Sequence, residues 1–153
     1  MRQLLLLVVL TLVVCSGGVA LRCPLANAEQ SKMQVASVAP LEGTKWSIKL
    51  TPDAMAKQKG EKSSKDTLTF RNGTLTSTAC VKYGFTASPY TTARSGAAWS
   101  FNTEQLSKKD GKTAWTGQVS GGAITGTMTW TKLDGSVLRY SFEGKRSARS
   151  GRT

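Results

Sequence analysis

Cys80, with Lys82 two residues further on, is the closest approach in this chain to a nucleophile beside a group that lowers its pKa. A catalytic thiolate needs that lowering and ordinarily a base as well. The base is missing. The 153 residues include no His, which excludes Ser-His-Asp triads, Cys-His dyads, His-ligated zinc and haem on a proximal His. Three Cys do not complete a four-ligand zinc site. Glu104, Asp110 and Asp134 fall in turns or on outward strand positions, with no acidic pair at a recognisable spacing and no phosphate loop. The chain therefore reads as non-enzymatic, with no catalytic residue, metal ligand or cofactor. Cys80 is left as a surface cysteine, or as a disulfide partner of Cys23 where that residue survives processing.

The residues suited to binding are aromatic. Trp99, Phe101, Trp115, Met128, Trp130 and Tyr140 recur at even spacings in Thr-rich runs, with Thr103 as an inward hydroxyl among them. Period-two alternation is the signature of strands with one apolar face. The same side chains can line a pocket for a small hydrophobic molecule or simply fill the space between strands, and both readings stand.

Three kinds of turn fix how those strands pair. Asn72-Gly73 tolerates positive φ at both central residues and sets Phe70 opposite Leu75 and Leu68 opposite Ser77. Gly121-Gly122 sets Val119 opposite Ile124, Gly117 opposite Gly126 and Trp115 opposite Met128. Leu133-Asp134-Gly135, as a three-residue turn, sets Trp130 opposite Leu138, Met128 opposite Tyr140 and Gly126 opposite Phe142. Lys109-Asp110-Gly111, treated alike, sets Phe101 opposite Val119, Thr103 opposite Gly117 and Gln105 opposite Trp115, with Gln105 near a rim. A one-residue slip at any of these turns would put half the apolar residues in water. Trp46, Ile48 and Leu50 form the inner face of the first strand, and the strand after Asn72-Gly73 extends through Ala79, Val81, Tyr83 and Phe85, leaving Cys80 outward. Every aromatic but Tyr90, in a loop over 86–96, then lies on one parity.

A sheet with one apolar face must cover it. The one helical segment, Pro52–Lys59, with Thr51 as N-cap and Pro52 at the first turn, is too short to do so. Closure on itself covers the face and removes the edges. The expected fold is all-β: an antiparallel up-and-down meander β-barrel of seven or eight strands over 43–145, with one short helix between the first two strands. Gly117 opposite Gly126 leaves two inward positions without side chains, which opens a space in the interior or makes room for neighbouring rings.

Residues 1–28 read as a secretory signal: Arg2, then an apolar run from Leu4 to Val14 broken only by Thr11, then Ala26-Asn27-Ala28 as an A-x-A cleavage site. About eleven residues at ~1.5 Å each reach roughly half of a ~30 Å hydrocarbon core, so the mature chain carries no transmembrane helix. Cleavage after Ala20 and a lipid anchor on Cys15 are the alternatives. The expected location is secreted or periplasmic. Residues 29–42 read as a flexible linker and 146–153 as a basic disordered tail.

The chain carries a formal net charge of +12. Lys57, Lys59, Lys62 and Lys65 cluster before the second strand, and Lys145, Arg146, Arg149 and Arg152 at the end. Basic clusters attract nucleic acid or anionic surfaces. Secretion excludes nucleic acid as the natural partner and leaves an anionic envelope polymer or lipid headgroups. Asn72-Gly73-Thr74 also matches a glycosylation sequon, but the turn accounts for it.

Gly43-Thr44-Lys45-Trp46, opening the first strand, resembles the Gly-x-Trp opening of the calycin group of lipocalins, fatty-acid-binding proteins and avidins. The stretch from Ala123 to Trp130, followed by Tyr140-Ser141-Phe142-Glu143-Gly144, resembles small bacterial lipocalin-like secreted proteins. The resemblance implies a barrel holding one small apolar ligand. The avidin biotin-contacting motifs and the lipocalin Thr-Asp-Tyr motif are missing, so no named ligand follows. Two functions from different classes remain: ligand binding in the aromatic interior with the short helix as lid, or a filled interaction barrel that docks by its exterior on an envelope component or a protein, protease inhibitors included.

Overall fold

The computed structural model describes residues 41–148; the signal segment, most of the expected linker and the end of the tail lie outside them. Eight antiparallel strands follow one another around a closed barrel. They are β1 (Thr44–Pro52), β2 (Ser64–Arg71), β3 (Thr74–Ser77), β4 (Ser88–Ser95), β5 (Ala98–Ser107), β6 (Gly111–Ser120), β7 (Ala123–Thr131) and β8 (Val137–Arg146). Helix α1 (Ala54–Gln58) joins β1 to β2 and helix α2 (Thr78–Val81) follows β3. β8 closes on β1 through pairs from Trp46↔Arg146 to Pro52↔Tyr140. The all-β meander read from the alternation is the fold observed.

Turn chemistry sets most of the register. Asn72 takes φ +53° and Gly73 +70°, and Phe70↔Leu75 and Leu68↔Ser77 pair as expected. Gly121 and Gly122, both at positive φ, place Val119 on Ile124, Gly117 on Gly126 and Trp115 on Met128. The Leu133-Asp134-Gly135 turn places Trp130 on Leu138 and Met128 on Tyr140.

The β5–β6 hairpin differs. Ser107 pairs with Gly111, so Phe101 meets Gly117, Thr103 meets Trp115 and Gln105 meets Thr113, two residues from the expected pairing. The Ser107 hydroxyl accepts from the backbone N–H groups of Lys109 and Asp110 and pulls the turn back onto 108–110. Gly111, at φ +86°, slides under the backbone of Thr131, where a Cβ would collide with the Thr131 carbonyl. A shift of two keeps every side chain on its face, so the inner set survives the correction.

The strand expected through Phe85 ends instead at Ser77. Asp66 occupies an inner position of β2 and is buried, and its carboxylate needs donors. It accepts from the Ser77 hydroxyl (2.6 Å), the Ala79 N–H (2.8 Å) and the Thr67 N–H (2.6 Å), while Ser77 Oγ accepts from the Cys80 N–H. Those bonds turn the chain into α2. Cys80 is consequently buried rather than outward, Val81 and Tyr83 are exposed rather than inward, and only Phe85 is buried as expected. The expected loop over 86–96 contains β4, and Tyr90 points inward with its ring edge-on to Phe70 at 5.0 Å. Its polar, Pro-containing sequence has too few apolar residues to show the alternation. The helix starts later than expected: Pro52 pairs within β1, and Asp53 is the cap, accepting from the Ala56 N–H at 2.7 Å.

The barrel also begins and ends beyond its expected limits. Leu41 is fully buried, and Glu42 accepts from the N–H groups of Asn72 (2.6 Å) and Gly73 (3.1 Å) and from the Tyr90 hydroxyl (3.0 Å). Arg146 is the last residue of β8, and the Ser147 N–H reaches the Lys45 carbonyl. The Glu42 latch is pH-sensitive. Its pKa is lowered, above all by the hydrogen bond from Gly73, against which desolvation works, with further help from Asn72 and Tyr90. A folded-state pKa below the unfolded value stabilises above the unfolded carboxylate range and is lost as pH falls through the folded pKa. The melting temperature of the wild-type protein should therefore fall on acidification below about pH 4.3 by more than that of Glu42→Gln. Equal acid slopes in thermal melts would count against the latch.

Candidate ligand-binding site

The seven residues expected to line a ligand pocket fall into three places. Phe101 and Trp115 lie in the middle of the barrel, fully buried with Phe70 and Phe142. The Phe70–Phe101 centroids are 5.1 Å apart at 83°, and those of Trp115 and Phe142 are 5.6 Å apart. Thr103 Oγ1 donates to the Pro89 carbonyl at 2.7 Å, so this hydroxyl is spent on the protein's own backbone. Of the two readings of Gly117 opposite Gly126, room for neighbouring rings is the one observed: a Cβ on Gly117 would sit 2.5 Å from the Phe101 ring, and one on Gly126 2.5 Å from Phe142. The middle of the barrel is packed with rings.

Trp99 stands apart, half-buried at the end formed by the β2–β3, β4–β5 and β6–β7 turns, beside Arg94 at 5.9 Å. Met128, Trp130 and Tyr140 are brought together at the opposite end, which the two helices and the β5–β6 and β7–β8 turns surround. They line a cleft of about 390 Å³ together with Leu50, Cys80 and Tyr83.

The cleft wall is aromatic and fixed. Trp130 Nε1 donates to the Asp110 carbonyl at 2.6 Å, which anchors the indole to the β5–β6 turn. Tyr83 lies against the indole at 4.9 Å and Phe85 meets it edge-on at 5.9 Å. Lys62, Lys65 and Lys82 stand at the rim, with Glu61 among them. Burial, reinforced by the facing Glu61 carboxylate, pushes the Tyr140 phenol well above its ordinary range, so it stays protonated. Burial likewise pushes the Cys80 thiol up to about 11, with Asp66 adding to this and Ser77 and Lys82 opposing it. The lowering expected from Lys82 loses to desolvation, and this thiol stays protonated at neutral pH.

Among the described residues no buried side-chain nitrogen or oxygen lacks a partner, and no cluster of His, Cys, Asp and Glu is suited to a metal. Polar recognition in the cleft therefore falls to its rim. A larger groove of about 610 Å³ lies outside the barrel over β7, β8 and β1, bordered by Lys49, Lys145 and Glu143, and gathers no aromatic side chain.

Sequence reasoning missed Asp66, placed Gln105 at a rim rather than deep in the core, and placed Tyr83 on the inner face of a strand rather than at the mouth of the cleft. Gln105, expected near a rim, is almost completely buried and donates to the Leu75 (3.2 Å) and Thr86 (3.0 Å) carbonyls while accepting from Trp115 Nε1 (3.1 Å). A carboxylate on the inner parity, beside Leu68, was the available signal for Asp66. Gly84, at φ +78° just after Tyr83, was the signal that the segment turns rather than extends.

Fold and site together define a closed eight-stranded up-and-down barrel of calycin-like architecture, filled in the middle and cleft at one end. No protein-family model, curated protein or solved structure matches the chain.

Proposed function

We propose that this is a secreted or periplasmic, non-enzymatic barrel that binds a small molecule with an apolar body and an anionic group in the cleft between the α1–β2 connection and α2. One observation carries the reading: Tyr83, Met128, Trp130 and Tyr140 converge beneath a rim of Lys62, Lys65 and Lys82. Apolar walls with a few charged groups at the mouth are the usual make-up of a small-molecule site. The ligand lies at the end of the barrel rather than in its middle, where Phe101 and Phe142 leave no room. Residues 1–28 support secretion, and a protonated Cys80 in a chain without His supports a binding role rather than a catalytic one.

The dye 1-anilinonaphthalene-8-sulfonate has the required chemistry, an aromatic body and one sulfonate. It should bind saturably at one site with quenching of tryptophan emission. Lys62→Glu with Lys82→Glu should weaken it by roughly tenfold, since each exposed charge is worth up to about 1 kcal/mol. Unsaturable dye uptake, or affinity indifferent to the two charge reversals, sinks the proposal. N-terminal sequencing of the exported chain should begin at Glu29.

A further inference from the structure

The two ends of the barrel differ in a way the cleft alone does not require. Among the described residues the exposed large hydrophobic side chains are Met55, Val81, Tyr83, Leu106 and Leu133, between 37% and 68% exposed. All five belong to the cleft end. Met55 is on α1, Val81 on α2, Tyr83 in the segment after it, Leu106 on the outer face of β5 one residue before its end, and Leu133 in the β7–β8 turn. Each of the four connections at this end thus carries or adjoins an apolar tip.

Among the described residues the opposite end has none. Its turns are Asn72-Gly73, Gly96-Ala97 and Gly121-Gly122, although Arg71, Arg94 and Arg146 make it basic too. At the cleft end the apolar tips are interleaved with exposed Lys57, Lys59, Lys62, Lys82, Lys108 and Lys109. Of the four carboxylates in these connections, Asp53 caps α1, Asp134 accepts from the Ser136 N–H, Glu61 faces Tyr140 and Asp110 is half-buried.

We infer that this end of the barrel docks on an anionic lipid surface, with the five side chains entering the headgroup–acyl boundary and the lysines meeting lipid phosphates. Exposed apolar side chains cost free energy in water, and spread singly over four loops they present no continuous face to a protein partner. Separated apolar tips ringed by lysine suit an interface in which both partners are fluid. Apolar burial and attraction to anionic lipid then act together. Among the described residues no helix is long and apolar enough to cross a membrane, so the association is peripheral. The cleft opens among the tips, but the docking stands whether or not the cleft holds a ligand.

The test uses the full chain with Cys15→Ser and Cys23→Ser, a polarity-sensitive dye on an introduced thiol, and vesicles of phosphatidylcholine with or without phosphatidylglycerol. Cys80 is buried and stays unlabelled. A dye on Leu133→Cys should shift to the blue with phosphatidylglycerol vesicles, and the shift should vanish in about 0.5 M salt. A dye on Ser95→Cys at the opposite end should not shift. Met55→Ser with Val81→Ser and Leu106→Ser should raise the lipid concentration needed for half the shift by roughly tenfold or more. Three results overturn the inference: no shift at 133, which includes attachment through Leu4–Val14 alone; an equal shift at 95; or a titration that the triple serine variant leaves unchanged. Sedimentation showing that the triple variant turns a dimer into a monomer, without vesicle binding, would give the tips to a second copy instead.

Discussion

Gly126→Ala should prevent the barrel from closing properly, with a loss of about 3 kcal/mol or more in urea denaturation, at the upper end of what overpacking costs. A methyl there would run into the Thr116 carbonyl, stand 2.5 Å from Phe142 Cζ and stand 2.6 Å from the Gly117 Cα. Two of the three obstacles are backbone held in the β6–β7 ladder, and ladder atoms do not step aside. Gly117→Ala meets a different set, the Phe101 ring at 2.5 Å and the Phe142 ring at 2.9 Å. Those are side chains. Gly117→Ala should therefore be partly rescued by Phe101→Leu, whereas Gly126→Ala should not. A Gly126→Ala protein with the wild-type urea midpoint would mean that the strands are further apart than described.

Gln105→Leu should cost about 3 kcal/mol or more, because it takes the partner from the buried Trp115 indole, Thr113 hydroxyl and Leu75 carbonyl and from the part-buried Thr86 carbonyl, and each unsatisfied buried group costs about 1–3 kcal/mol. The amide orientation is dictated by its neighbours. An indole N–H can only donate, so Oε1 faces Trp115, and two carbonyls can only accept, so Nε2 faces Leu75 and Thr86. Gln105→Glu keeps the acceptor for Trp115 but turns a carboxylate toward two carbonyl oxygens. The ionised form is disfavoured in the folded protein, which raises the folded-state pKa above the unfolded value. The variant should then be most stable in acid and lose stability as pH rises above about 4.3. Urea midpoints measured across pH check this, and a variant equally stable from pH 4 to 8 would show that water reaches the amide.

Gln105 and Asp66 also mark where sequence reasoning stops. The inner parity of β1, β5, β6, β7 and β8 was legible because long alternating runs end in Gly-rich turns whose chemistry admits few geometries. The β5–β6 pairing moved by two because Ser107 caps its own turn, a preference that Gly111 alone does not reveal. Alternation gave no warning at β3, where a tertiary bond from Asp66 on the neighbouring strand outweighs the local preference to extend. β4 was hidden for the opposite reason. Its sequence is polar, and it is a strand because β3 and β5 pair with it, from Leu75↔Ser88 to Ser95↔Ala98. Of the residues expected at a pocket, parity placed Met128, Trp130 and Tyr140 inward, but parity does not say how far along the axis a side chain lies. That depth separates packed Phe101 and Trp115 from the cleft, and Tyr83 entered it only through the turn after α2.

One further property comes from the closing seam. β1 starts and β8 finishes at the same rim, with Trp46 beside Arg146 and the Ser147 N–H on the Lys45 carbonyl. Leu41 and Ala148, the first and last described residues, thus lie at the pole remote from Trp130 and Leu133. A fusion partner or immobilising bead joined directly at Leu41 or Ala148 would be held at that pole, and the Trp130 and Leu133 end of the captured barrel would stay open.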